Sequence, residues 1–218
     1  MKDMYPLRVW CLFLALPVLA ASQDTRDLLR TIENRYNHAQ SLTLSFSETY
    51  SGSRRPVQSE AGTLYLRKPG RMRWEYSQPA GKLFVSDGKD VYVYTPGDTH
   101  AEKSALKVSD DMRAPLAFLL GKLDFDREFK SFGTTPDPTG TWIAATPKSA
   151  NLAYTKVEFL ATPVGEIRKL RITGQDSSRL EFAFSGERVN APVAPNLFVF
   201  QPPAGIPIVN STNAEAGH

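Results

Sequence analysis

Cysteine is almost absent. The 218-residue chain has one, Cys11, and it lies inside an amino-terminal apolar run. The rest of the chain can therefore form no disulfide and no cysteine metal site. Histidine is nearly as scarce: His38, His100 and His218 are the three, and none stands at ligand spacing from another ligand. The formal net charge is only +3 and is spread evenly, which argues against a nucleic-acid partner. No Gly-x-Ser-x-Gly elbow and no glycine-rich phosphate loop is present. Asp87, Asp90, Asp110 and Asp111 could be paired on paper for acid–base work. Asp87 is better explained by a turn, and Asp110-Asp111 by the approach to a helix. We expect no catalytic residue, no metal and no cofactor.

What is present begins with an address. Lys2 and Arg8 precede an apolar run, Val9–Leu19, broken only by Pro17 and followed by Ala20, Ala21 and Ser22. The pattern predicts a secretory signal peptide over 1–21, cleaved after Ala20 or Ala21, and it is too short for a membrane span. Cys11 stands in mid-run rather than after small residues at its end, so no lipid anchor is expected. One domain over 22–209 and a frayed polar tail over 210–218 complete the expected layout.

The most informative stretch is Gly62–Tyr76. Thr63–Arg67 and Arg71–Tyr76 flank a Pro69-Gly70 turn. Arg71, Arg73 and Glu75 alternate with Met72, Trp74 and Tyr76, and side chains two apart share one face of a strand. The reading is an antiparallel hairpin with a wet outer face. Its apolar inner face is built from Leu64, Leu66, Met72, Trp74 and Tyr76. Arg67, Arg71 and Arg73 are expected on the solvated side.

Before this hairpin, Asp24–Ala39 reads as a helix with an apolar stripe of Leu28, Leu29, Ile32 and Tyr36. Leu42–Tyr50 reads as a strand and Ser51–Glu60 as a loop or hairpin end. After it come strands at Lys82–Ser86 and Val91–Tyr94, joined by Asp87-Gly88. Pro96–Ser104 reads as a loop. Ala114–Gly121 has proline at its start, glycine at its end and little polar between, which predicts a short apolar helix. Such a helix is unstable alone and must lie on something hydrophobic. Further strands are expected at Trp142–Thr146, Tyr154–Leu160, Ile167–Thr173, Leu180–Phe184 and Leu197–Phe200, with loops at Gly133–Gly140 and Gly186–Pro195. The order predicts a mainly β fold, a strongly curved antiparallel sheet covered on its open side by helices. Aromatics recur at alternating positions, among them Phe46, Tyr92, Tyr94, Trp142, Phe182, Phe198 and Phe200. Alternation alone favours a filled core over a ligand cavity, and the short apolar helix adds a second reading, a lid.

In order and spacing, several pieces resemble the LolA family of periplasmic lipoprotein carriers. They are Gly62–Trp74, Val85-Ser-Asp-Gly-Lys89, Val91-Tyr-Val-Tyr94, the Pro115–Leu120 helix, Thr146-Pro-Lys148 and Phe198–Ile206. The resemblance implies an unclosed β-barrel with a helical lid over a hydrophobic cavity for acyl chains. It implies a periplasmic, non-enzymatic chaperone, expected as a monomer. Its expected partners are acylated lipoproteins, an inner-membrane lipoprotein-releasing ABC transporter and, where one exists, the outer-membrane receptor LolB. Leu64, Leu66, Met72, Trp74, Tyr76, Leu116 and Leu119 are then the implied lipid-binding residues. The family's arginine that bonds to the lid helices falls at Lys68. That is a departure, because an ammonium lacks the guanidinium's planar fork. Other lipid-binding or lipid-sensing proteins on the same fold are the alternative. A lipid hydrolase would need a polar triad that is not legible here.

Overall fold

The computed structural model describes residues 18–52, 55–106 and 123–210. The expected helix Ala114–Gly121, with Leu116 and Leu119, lies outside the described residues.

Helix α1 spans Val18–His38. It turns Leu29, Ile32 and Tyr36 inward, all nearly buried, as their helical spacing requires. Two long hairpins follow. Strands β1 (Ser41–Gly52) and β2 (Arg55–Arg67) pair through Leu42↔Leu66, Leu44↔Leu64 and Phe46↔Gly62. Strand β3 (Arg71–Gln78) returns against β2 through Leu66↔Met72 and Leu64↔Trp74. Then come β4 (Ala80–Asp87), β5 (Asp90–Tyr94) and β6 (Ala101–Ala105). A short helix, α2 (Phe125–Glu128), opens the second half. It leads into β7 (Phe129–Asp137), β8 (Gly140–Pro147), β9 (Tyr154–Ala161), β10 (Ile167–Gly174) and β11 (Arg179–Val189). A 3-10 turn at Pro195–Phe198 and β12 (Ile208–Asn210) close the described chain.

The twelve strands form one sheet in the order β12-β6-β5-β4-β3-β2-β1-β11-β10-β9-β8-β7. Its two end strands do not pair, so the sheet is unclosed, as the sequence predicts. Pairing is antiparallel throughout except between β12 and β6. One buried cluster joins inner residues of β1–β3 to those of β8–β11 and to α1. For one face of so wide a sheet to enclose a single core, the sheet must curl. The inner face is therefore concave.

Gly62 shows how closely the strands approach there. A Cβ at this position would lie 2.1 Å from the Glu75 carbonyl oxygen. The missing side chain lets Phe46 and Tyr76, its neighbours on either strand, meet edge to face at 5.1 Å. Trp74 joins them 4.7 Å from Phe46 and 5.6 Å from Phe182. An aromatic row thus crosses the hydrophobic face from β3 to β11.

Several sequence expectations are corrected. Of the two readings of Ser51–Glu60, the hairpin end holds and the loop does not: most of it belongs to β1 and β2. The expected loops at Gly133–Gly140 and Pro96–Ser104 contain β7 and β6. Their polar side chains are exposed at sheet ends and edges, where backbone pairing does not require apolar residues. The expected strand Leu197–Phe200 is instead a 3-10 turn running into irregular chain. Phe198 and Phe200 lie on the convex side: the Phe200 ring stacks on Tyr92 at 5.2 Å, within a second small core of Val85, Ala101, Leu83 and Tyr94. Tyr92 and Tyr94 pair with Val85 and Leu83, which alternate with the inward-facing Phe84 and Ser86. Arg73 is no freely solvated arginine either. Its side chain is 17% exposed, pairs with Glu75 at 3.0 Å and donates to the Leu197 carbonyl.

Candidate functional site

The concave face is the candidate site. Leu64, Leu66, Met72, Trp74 and Tyr76 all lie on it, between 0 and 7% exposed. They come from the two strands of the Pro69-Gly70 hairpin, and period-two geometry puts all five on one side. The structure surrounds them with Leu44, Phe46, Phe159, Leu170, Ile172, Phe182 and Phe184, and closes the face with α1.

A group of polar bonds fastens the carboxyl-terminal half of α1 at one end of the sheet. Lys68 donates from Nζ to the carbonyl oxygens of Tyr36 at 2.7 Å and Asn37 at 3.0 Å. Those carbonyls belong to the last turn of the helix, where no intrahelical donor is available. The structure thus places the Lys68 ammonium on α1. Burial at this junction pushes the Lys68 pKa down. A narrow crevice here is lined by Tyr36, Ala39, Leu42, Leu66 and Lys68 itself.

Four further partners meet the carboxyl-terminal half of α1. Glu187 of β11 accepts from Arg35 Nε at 2.8 Å and from the Tyr36 hydroxyl at 2.7 Å. The Tyr36 hydroxyl also accepts from the Ile167 backbone N–H at 2.9 Å. Burial, followed by the Glu187 charge, raises the Tyr36 pKa, so it stays a neutral donor. Burial alone would lower the Arg35 pKa, but the bond to Glu187 and its charge outweigh that and raise it. Asn37 exchanges two bonds with the Leu123 backbone, at 2.8 and 2.6 Å. Glu33 accepts from the Phe125 N–H at 2.7 Å, which ties α2 to α1.

The opposite end of the concave face is built differently. Inner positions there carry charge: Glu48 and Glu60 stand directly opposite on β1 and β2. Glu48 is 5% exposed, and the Tyr76 hydroxyl donates to it at 3.4 Å. Lys82 of β4 donates to both Glu60 oxygens at 2.6 Å and lies 4.5 Å over the Tyr76 ring. Sequence reasoning passed over Glu48, Glu60 and Lys82. The signal was available, because each continues the parity of an apolar set: Leu44-Phe46-Glu48, Leu66-Leu64-Gly62-Glu60 and Phe84-Lys82. The tether residues Arg35, Glu187 and Asn37 were also missed, and only the tertiary structure brings them together. Among the described residues, no three His, Cys, Asp or Glu side chains gather as a metal site would require.

Comparison with known proteins agrees with this architecture. The family model for the outer membrane lipoprotein carrier protein LolA matches residues 37–201. An outer-membrane lipoprotein carrier protein of Nitrosospira multiformis is 26% identical over 202 residues, covering 92% of this chain and 97% of that one. Its counterpart in Pseudomonas fluorescens is 28% identical over 199 residues, covering 90% and 94%. Among solved structures, an uncharacterised conserved protein of Thermus thermophilus shares the fold with a TM-score of 0.54. It is 10% identical, and the match covers 86% of this chain and 99% of that one. The family match spans both the hairpin that builds the concave face and the 3-10 turn at Pro195–Phe198: this chain belongs to the LolA family of outer membrane lipoprotein carrier proteins.

Proposed function

We propose that the protein is a periplasmic, non-enzymatic carrier that holds the acyl chains of lipoproteins on its concave face. One observation carries this reading: a broad apolar row crosses the concave face under a helix that is joined to the sheet by discrete side-chain bonds at Lys68 and Glu187. Lipoproteins released by an inner-membrane ABC transporter would be received here and passed to an outer-membrane receptor of the LolB kind. The mature protein would run from residue 21 or 22, after removal of the signal peptide.

The energetics require both a carrier and a weak hold. Burying one methylene is worth roughly 0.8 kcal/mol, so about forty methylenes imply on the order of 30 kcal/mol against crossing water. A rigid matched pocket would keep its cargo. A face that is covered when empty binds more weakly, because uncovering it costs free energy first. The Lys68 and Glu187 tethers set that cost, and their re-formation favours release.

Met72→Glu tests the reading. It places a carboxylate against the acyl chains, at a cost of several kcal/mol if it stays buried and ionised. The expected outcome is a folded protein, by circular dichroism, that no longer co-purifies with acylated lipoproteins in a pull-down read by mass spectrometry. Normal cargo capture by the folded variant would remove Met72, and with it this face, from the site.

A further inference from the structure

Building on the carrier reading, we infer that the concave face has a direction. Glu60, Lys82, Tyr76 and Glu48 form a headgroup end for the ester and amide carbonyls and first peptide groups of an acylated amino terminus. The chains then point toward Lys68.

Three observations lead here. First, the Lys68 end of the face is bonded shut. At the Lys68 end, α1 is bonded to Lys68, Glu187, Ile167 and Leu123. The hairpin turns at 68–70 and 87–89 also press together, with Ser86 Oγ donating to the Gly70 carbonyl at 2.8 Å. A polypeptide attached to bound chains could leave on that side only by breaking these bonds. At the other end the strands run out into exposed Gln58, Gln78 and Gly81.

Second, charge sits on the concave side at that end against the ordinary logic of a core. Two carboxylates placed directly opposite on neighbouring strands repel, and burial makes polar groups costly unless they are bonded. Filling a core would be better served by apolar side chains at Glu48, Glu60 and Lys82. The cluster is nonetheless built in, with Lys82 and Glu60 only 17% and 20% exposed at their side chains.

Third, its chemistry fits the cargo's one polar end. An acylated amino terminus is an amphiphile whose ester and amide carbonyls become buried along with the chains and must then find donors. The Lys82 ammonium carries three donors, of which Glu60 takes two. Glu60 offers acceptors for peptide N–H groups. The apolar row of Phe46, Trp74 and Phe182 begins immediately beyond. Carbonyls at the cluster and methylenes on the row leave neither class of group mismatched.

The test reads orientation directly. A photo-crosslinking amino acid is placed in the full chain at Gln58 or at Lys89, exposed positions at the two ends. The probe is a short synthetic peptide with palmitoyl chains on its amino-terminal cysteine and a label on its carboxyl terminus. Labelled peptide should be captured from position 58 at least about tenfold more than from 89; equal or reversed capture overturns the direction. A second arm compares Lys82→Met with the wild type for this lipopeptide and for a pyrene-labelled hydrocarbon. The ratio of the two affinities should fall about tenfold, as loss of one charge-assisted bond predicts, and an unchanged ratio overturns the headgroup role. Palmitic acid competing as well as the lipopeptide would assign the cluster to a free carboxylate, also against the proposal. Wild-type protein that binds neither probe would instead refute the carrier reading itself.

Discussion

The sheet buries aromatic side chains on both faces, and the two covers could hardly differ more. On the convex side, Phe198 and Phe200 lie over β3–β5 as part of the chain that continues into β12, which pairs along β6. That cover is stitched to the sheet by backbone bonds. On the concave side, a larger aromatic set lies under α1, which packs on the sheet and bonds to it through side chains such as Lys68 and Glu187. Similar apolar chemistry therefore has two fates. Where the cover is backbone-paired, the cluster serves stability. Where it is a helix held by side-chain bonds, the proposed carrier role has the cluster receive a ligand once those bonds yield.

The comparison can be broken most severely from the convex side. Phe198 is 2% exposed, and Phe198→Ala should destabilise the protein by about 3–5 kcal/mol. Denaturant melts should show the loss, while lipopeptide affinity per folded molecule stays at the wild-type level. An affinity change without a stability change would erase the distinction between the faces.

Glu187→Ala attacks the concave cover instead. It leaves the half-covered Arg35 and the buried Tyr36 hydroxyl without their carboxylate, a loss of about 1–3 kcal/mol in the empty protein. Because the cover then opens at lower cost, the affinity for a fluorescent acyl-chain probe should rise as stability falls. A fall in both would mean that α1 supports the ligand rather than competing with it.

Lys68 offers a finer adjustment. Lys68→Leu removes two bonds to helix carbonyls and should lower the stability of the empty protein by about 1–2 kcal/mol while strengthening probe binding. Lys68→Arg can span both carbonyls with its fork, so melting temperature should rise and apparent affinity fall. Agreement of all three proteins on both quantities would reduce Lys68 to a surface lysine.

The smallest effect is expected at Asp87, in the turn that abuts the Lys68 hairpin. Burial pushes its carboxyl up, but the backbone N–H groups of Asp90 and Lys89 and the charges of Lys103 and Lys89 outweigh this and hold it below the usual range. A depressed carboxyl contributes stability that is present above its unfolded pKa and lost as pH falls through its folded one. Asp87→Asn should therefore flatten the acid limb of the melting profile and leave neutral pH nearly untouched. An unchanged acid limb would show that the turn does not depend on the charge.

Much of this was legible in the chain itself. Alternation in Leu64–Leu66 and Met72–Tyr76 located the concave face, because a strand must send every second side chain to the same side. The helical spacing of Leu29, Ile32 and Tyr36 marked α1's buried stripe, and Pro69-Gly70 and Asp87-Gly88 marked two real turns. Alternation did not say which face of the curled sheet an aromatic would join. Tyr92 and Phe200 have the same residue chemistry as Tyr76 and Phe46, yet they lie on the convex side. Strands as polar as β6 and β7 were invisible, since an edge or sheet end needs pairing but little burial. Nor could local sequence show that Lys68 would bond to Tyr36 and Asn37, or that Glu187 would meet Arg35. Those partners are joined only when the sheet curls and brings residues distant in sequence to one helix. Residue order and period determined which side chains share a face; the curling of the sheet decided which of them are bonded and what covers them, because only that curvature sets what lies opposite.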